Sequence, residues 1–152
     1  MEKLEELHTG ALIKILSEAL SQRGNADCRE FNLTMQQMRI MHFLKKREEA
    51  GVPTSQKDIQ ECLRVSHPTV CSILRLLEEK EFVRIRVSPE DRRVKLVSLT
   101  GMEEAKVQEM TRRRNRMEVQ MVKGLTKEEQ ENFRRYLIHV YQNVLNFPEN
   151  NE

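Results

Sequence analysis

The sequence predicts a mainly helical chain interrupted by one short β-hairpin. Three observations carry this. Glycine and proline are scarce, five and four in 152 residues, while Leu, Met, Glu, Lys and Arg, which suit helices, abound. Apolar residues recur at helical spacing toward both ends of the chain. Between residues 82 and 99 the spacing changes to alternation, the period of a half-buried strand. With 38 % hydrophobic and 33 % charged residues, the chain is too apolar for disorder throughout and too polar for a membrane protein. Its apolar runs are only a few residues long, so no membrane partner is expected. Met1–Glu6 is acidic and lacks a secretory apolar core, which makes the cytoplasm the expected location.

Leu4, Leu7, Ala11, Ile15 and Ala19 share one helical face, widened by Leu12, Leu16 and Leu20; they predict a first helix. Gly24 to Asn32 reads as a polar break. Thr34 is placed to cap a second helix, whose apolar Met38, Ile40, Met41, Phe43 and Leu44 nearly surround it, as in the middle of a core. Gly51-Val52-Pro53 ends it. Ser55, with Asp58 three residues on, reads as a capped helix start, and Ile59, Cys62 and Leu63 give that helix one short apolar face. Arg64-Val65 leaves room only for a turn. Ser66 and Pro68 open the next helix, where a proline's missing N–H costs nothing, and it runs to about Lys80. Phe82 to Val87 and Val94 to Leu99 read as two strands joined by a charged turn. Thr100 with Glu103, and Thr126 with Glu129, are two more capping boxes. The first opens a helix to about Val122. The second opens a helix striped by Phe133, Tyr136, Leu137, Val140, Tyr141, Val144 and Leu145. The tail, Pro148 to Glu152, is expected to fray.

The cysteines, Cys28, Cys62 and Cys71, are odd in number and form no C-x-x-C pair, and the four histidines are scattered. Neither a disulfide framework nor a metal site is expected, and no cofactor. Free structural or surface thiols are the plain reading; Cys28 sits in a polar stretch, where a thiol could react. His42 and His139 lie among apolar helix positions, as core or boundary histidines do. No glycine-rich phosphate loop, metal spacing or Ser-His-Asp set suggests catalysis, so no enzyme and no catalytic residue is expected. The net charge of +2 is unevenly spread. Residues 64–100 hold eight basic and five acidic groups, whereas residues 1–31 hold four and six. A basic centre points weakly to a polyanion. The densest basic run, Arg112 to Arg116, points around most of its helix and reads as solvated surface.

The centre, helix, tight turn, helix, hairpin, is a helix-turn-helix with a β-wing. On a helical wheel, Val70, Ile73, Leu74 and Leu77 of its second helix cluster on a face that must be buried. The opposite face shows Pro68, Ser72, Arg75 and Glu79, flanked by Thr69 and Cys71. Small, hydrogen-bonding residues there suit the major groove of double-stranded DNA, where base edges present donors and acceptors. Ser66, His67, Pro68, Thr69, Ser72 and Arg75 are therefore the candidate recognition residues. Arg92 and Arg93, at the hairpin tip, suit the minor groove, where negative potential concentrates. Asp91 gains nothing by facing DNA; its expected role is to pair with a neighbouring arginine and shape the loop.

Several stretches together carry a resemblance. They are Leu33-Thr34-Met35-Gln36-Gln37, Val65-Ser66-His67-Pro68-Thr69-Val70, Leu76-Leu77-Glu78-Glu79-Lys80, Asp91-Arg92-Arg93 and Val97-Ser98-Leu99-Thr100. From Leu33 to about Leu99 the chain resembles the MarR family of winged-helix transcription regulators. It departs from the family pattern at Glu81, where glycine is common, at Gln60, where a small residue is common, and at Gly101, which comes early. The resemblance implies a homodimer in which N- and C-terminal helices of two chains interlock, and a pseudo-palindromic operator. It also implies, in many members, release of DNA by a small phenolic or other lipophilic effector.

The apolar stripes at both ends also favour two copies, since they exceed what one small winged domain can cover. Three segments follow: residues 1–32 and 101–152 for dimerisation, and 33–100 for the winged helix-turn-helix. The expected function is sequence-specific regulation of transcription, with repression the expected direction. A winged helix that binds only protein is the competing reading, and it would give no salt-sensitive gel shift.

Overall fold

A computed structural model describes residues 3–148. The order is α1 (Thr9–Glu30), α2 (Met35–Glu49), α3 (Gln56–Leu63), α4 (His67–Glu79), β1 (Val83–Val87), β2 (Lys95–Leu99), α5 (Glu104–Met121) and α6 (Lys127–Leu145), preceded by a 3-10 turn at Leu4–Glu6. The strands pair antiparallel from Val83 opposite Leu99 to Val87 opposite Lys95. The fold is mainly α, a winged helix-turn-helix. The chain divides into two compact units within α5, between Thr111 and Arg112.

The core of the first unit is built around α2, as the near-complete apolar girdle of that helix requires. Ile40, Met41 and Leu44 of α2, Ile59 and Leu63 of α3, the α4 stripe, and Val83 and Val97 of the wing are buried. Cys28 and Leu33 close it on one side, Val107 and Met110 of α5 on another. The wing's inward alternation fades outward: Val83 is buried, Ile85 half-buried and Val87 exposed, because the hairpin runs off the body. In the second unit, α6 starts at the Thr126–Glu129 capping box, and Gly124, at φ +93°, turns the chain into it. None of its residues is buried in the single chain; Phe133, Tyr136, Leu137, Ile138, Tyr141, Val144 and Leu145 all stand exposed.

Several expectations are corrected. The first helix does not begin at Leu4. It starts at Thr9, capped by His8, whose Nδ1 accepts the Ala11 N–H at 3.2 Å. Nor does it break at Gly24. It continues to Glu30 because Cys28 at its end is buried, which anchors a last turn that composition alone reads as loop. A methyl group on Gly24 would lie 3.2 Å from Met35 Sδ, a tight contact with the side chain that opens α2. Cys28 is no reactive thiol: it is 1 % exposed, 3.4 Å from Met35 Sδ, and burial, with the Asp27 charge, raises its pKa. Cys62 points outward, not into the face of Ile59 and Leu63. His139 is exposed, whereas His42 is half-buried. Thr100 and Glu103 form no capping box. Gly101, at φ +94°, turns the chain between them, so Glu103 accepts the Gly101 N–H and the Thr100 hydroxyl stays behind, donating to the Glu81 carbonyl. Residues 149–152 of the tail, and the first two residues, lie outside the described range.

Four helices end alike. At each, a residue in the left-handed region follows the helix, and two N–H groups fold back onto its last carbonyls in the Schellman pattern. These residues are Asn32 after α1, Gly51 after α2, Arg64 after α3 and Glu81 after α4. After α4, the Glu81 N–H reaches Glu78 O and the Phe82 N–H reaches Leu77 O. Only one of the four is glycine. At Glu81, φ is +61°, a conformation that a Cβ atom opposes by about 1–2 kcal/mol, and it coincides with the position where the family commonly has glycine. Glu81→Gly is therefore expected to stabilise the protein by about 0.5–1 kcal/mol after the added freedom of the unfolded chain is subtracted. A urea titration would show a raised midpoint with an unchanged slope.

Candidate nucleic-acid interface

The α4 helix begins where Ser66 caps it: the Ser66 hydroxyl accepts the Thr69 N–H at 3.4 Å and bonds the Thr69 hydroxyl at 2.8 Å. Pro68 occupies the first turn, where it removes no helical hydrogen bond. With Val70, Ile73, Leu74 and Leu77 buried, the face bearing Pro68, Thr69, Ser72 and Arg75 is turned outward, and all four are exposed together with Ser66 and His67. Cys71 is half-buried beside them, its Sγ 3.5 Å from His67 Nε2. Arg75 Nε lies 3.7 Å from Glu79 Oε1, one turn on. Both side chains are well exposed, and such a pair is worth only about 0–1 kcal/mol, so it does not commit the guanidinium.

At the wing tip, the Asp91 carboxylate accepts the Arg93 N–H at 2.9 Å and lies 3.5 Å from Arg93 Nε. The Asp91 carbonyl accepts the Val94 N–H at 2.9 Å, and the Ser88 N–H closes the loop onto Val94 O at 2.8 Å. Arg92 and Arg93 are exposed on this braced turn. The Arg93–Asp91 ion pair, with the Arg93 side chain 93 % exposed, adds little; the hydrogen bonds to Arg93 N and Val94 N shape the turn. Wing and α4 are joined at the base, where Glu78 Oε1 accepts the Ile85 N–H at 3.1 Å.

The structure brings helix and wing together around two open clefts. One, of about 350 Å³, is lined by Cys71 and Arg75 of α4 and by Arg86 and Lys95 of the wing, among others. The other, of about 550 Å³, has His67 on one wall, Arg93 and Lys95 on another, and Gln56, Lys57 and Gln60 of α3 on its floor. The α3 residues are absent from the sequence-derived candidates. Their only signal was the polar face opposite Ile59 and Leu63. Their placement depends on a third short extended segment: the Thr54 carbonyl accepts the Val97 N–H at 2.8 Å, and Ser55 bridges Leu96. Arg112, Arg114 and Arg116 are exposed and Arg113 half-buried. Among the described residues no group of three metal-binding side chains comes together, and no helix is long and apolar enough to cross a membrane.

Residues 31–94 match the MarR family. The chain is also 31 % identical, over 114 residues, to an uncharacterised HTH-type transcriptional regulator of Bacillus subtilis, YwoH, covering 75 % of this chain and 80 % of that one. The chain belongs to the MarR family. Among solved structures, the Staphylococcus aureus MepR–DNA complex is 26 % identical with a TM-score of 0.75, the match covering 91 % of this chain and 98 % of that one. MarR from Oenococcus oeni is 25 % identical with a TM-score of 0.67, covering 89 % and 99 %. This MarR-family member is accordingly a transcriptional regulator, and not an enzyme.

The α3 start that floors the larger cleft of this MarR-family protein is held electrostatically. Asp58 accepts the Ser55 N–H at 2.8 Å and the Ser55 hydroxyl at 2.9 Å; Arg47, which also donates to Thr54 Oγ1 and Pro53 O, lies 3.5 Å away. The Ser55 N–H, foremost, and then the Ser55 hydroxyl and the Arg47 and Lys57 charges, hold the Asp58 pKa below the usual carboxylate value despite partial desolvation. A depressed folded pKa gives stability that is present above the unfolded pKa of about 4 and lost as pH falls through the lower folded value. Asp58→Asn is thus expected to lower stability near neutral pH and to flatten the decline below about pH 4. Thermal melts of the two proteins across that range should converge toward the acid end.

Proposed function

We propose that the protein binds double-stranded DNA as a homodimer and regulates, most directly represses, transcription from a pseudo-palindromic site. One observation carries the reading: the polar first turns of α4 stand uncovered beside an arginine-tipped wing, with His67 and Arg93 on walls of one cleft. In this reading Ser66, Pro68, Thr69, Ser72 and Arg75 enter the major groove, and His67 reaches a base or phosphate at its edge. Arg92 and Arg93 reach the minor groove, and Asp91 keeps them there by bracing the turn. That MepR is solved in complex with DNA supports the same use of the fold.

Two copies are favoured on two grounds. One winged domain offers less than the about 1,000–2,500 Å² that specific DNA interfaces bury. The apolar side chains exposed along α1 (Leu12, Ile13, Ile15, Leu16) and α6 form contiguous faces of the kind that mark contacts between proteins. Residues 33–100 form the DNA-binding part in this reading, with 1–32 and 101–152 supplying dimer contacts. The half-sites then lie about 34–36 Å apart, one duplex turn. A small phenolic or lipophilic effector fits the same scheme, since a ligand that favours another spacing of the recognition helices weakens DNA binding by the same factor that DNA weakens its own.

Selection of bound duplexes from a random pool tests the reading directly. The expected result is a two-fold symmetric site; no enriched duplex, even in dilute buffer, would overturn it. On that site, Arg75→Ala should relax base preference at one position per half-site, at about 1–3 kcal/mol, while a uniform loss on all sequences would make Arg75 a phosphate contact. Arg93→Ala should weaken binding and reduce the salt dependence by about one ion per half-site. An unchanged slope would remove Arg93 from the phosphate contacts.

A further inference from the structure

Phe31, Asn32 and Leu33 form a tight elbow between α1 and α2. Its backbone N–H groups fold back onto the end of α1: Phe31 and Leu33 onto Cys28 O, Asn32 onto Arg29 O. The elbow's own carbonyls lie beyond the helix and need donors from elsewhere. Two lysines, far away in sequence, supply them. Lys80, the residue that ends α4, extends its ammonium to Asn32 O and, at 3.3 Å, to Gln37 Oε1. Gln37 is itself buried, and the same Oε1 accepts the Thr34 N–H at 3.1 Å, capping α2. Lys106, in the first turn of α5, donates to Phe31 O at 3.3 Å. Its ammonium also lies over the rings of Phe31 and Phe82, at 5.8 and 5.6 Å. Phe82 is buried at the corner where α4 turns into the wing.

Both cations are thus spent on neutral carbonyls, an amide oxygen and ring faces. Such partners are directional: they fix where the ammonium sits, whereas a pair of exposed opposite charges tolerates many arrangements. The joined points are specific. They are the end of α1, the start of α2, the C-terminal foot of α4 and the corner that launches the wing.

We propose that Lys80 and Lys106 are positioning residues that clamp the α1–α2 elbow to the foot of the recognition helix and so set its angle relative to α1. The inference rests on the DNA-binding homodimer proposed above, in which α1 lies at the interface between copies. The lever is long. Thirteen residues make α4 about 20 Å long at 1.5 Å per residue. A tilt of about 10° at its foot then moves its DNA-facing tip by about 3.4 Å, one base-pair step. A loosened clamp would therefore leave each recognition helix able to read its half-site, while blurring the distance between the two.

The test uses the full-length protein on the selected site and on versions whose half-sites are one base pair closer or farther apart. Wild type is expected to prefer the selected spacing by tenfold or more. Lys80→Met and Lys106→Met should reduce that preference to about threefold or less while base preference within each half-site stays intact. Lys80→Arg, which keeps a donor, should restore part of it. Thermal melts and sedimentation run alongside, and if Lys80→Met does not fold, Lys106→Met and Lys80→Arg carry the comparison. Folded dimeric variants that keep the full spacing preference, or lose affinity equally for every spacing and sequence, would overturn the clamp. Failure of wild type to bind any selected duplex would instead overturn the DNA-binding reading, and the clamp's proposed purpose with it.

Discussion

One stripe of four aliphatic side chains decides how the rest of the molecule presents itself. Val70, Ile73, Leu74 and Leu77 are all buried on one side of α4. Each contributes about 1.5–3 kcal/mol by leaving water, against a total margin of about 5–15 kcal/mol for a domain of this kind. The helix therefore cannot roll about its axis without unfolding its surroundings. Because a helix repeats every 3.6 residues, committing that side inward commits Pro68, Ser72 and Arg75 outward. The polar outer surface of α4 is a consequence of the core beneath it.

The same logic extends to the wing. A two-stranded hairpin is marginal by itself, and here its base is held from three directions. Glu78 of α4 accepts the Ile85 N–H, Glu48 at the end of α2 accepts the Leu99 N–H, and Thr54 O accepts the Val97 N–H. Among the described residues, no buried side-chain nitrogen or oxygen lacks a hydrogen-bond partner. The wing tip depends on its own short hydrogen bonds around Asp91. The hairpin is thus firm where it meets the helices and self-braced where its arginines stand, an arrangement suited to a side chain reaching into a narrow groove.

The flanking helices are different in kind. The core under α4 is complete within one chain. Leu12, Ile13, Ile15 and Leu16 on α1, and the apolar side chains of α6, are not covered in it. The proposed homodimer gives these faces a rationale, since reading a symmetric site takes two reading heads at a set separation. In that proposal the elbow after α1 matters mechanically, because it is where Lys80 and Lys106 meet the helix assigned to the contact with a second copy.

What could be read from the sequence was whatever depends on neighbours along the chain. The caps at Thr34, Ser55, Ser66 and Thr126 are legible because a hydroxyl bonds a backbone N–H three residues on. The faces of α2 and α4 are legible because burial follows the helical repeat, and the wing because alternation marks a strand. Tertiary structure decided whatever depends on partners far away in sequence. Burial of Cys28 against Met35 carries α1 through a stretch whose composition suggests a loop. Left-handed ends at Asn32, Arg64 and Glu81 are imposed by where the next element must go, in residues that do not announce it as glycine does. The pairing of Thr100 with the Glu81 carbonyl overrides a plausible cap because it closes the corner between helix and wing. The cleft residues Gln56, Lys57 and Gln60 are marked only by a polar helix face, which does not say what it meets, and Lys80 and Lys106 carry no local signature. A solvated lysine and one holding a carbonyl 48 or 75 residues away look the same in one dimension, because periodicity records which side of an element faces inward and not what it meets there.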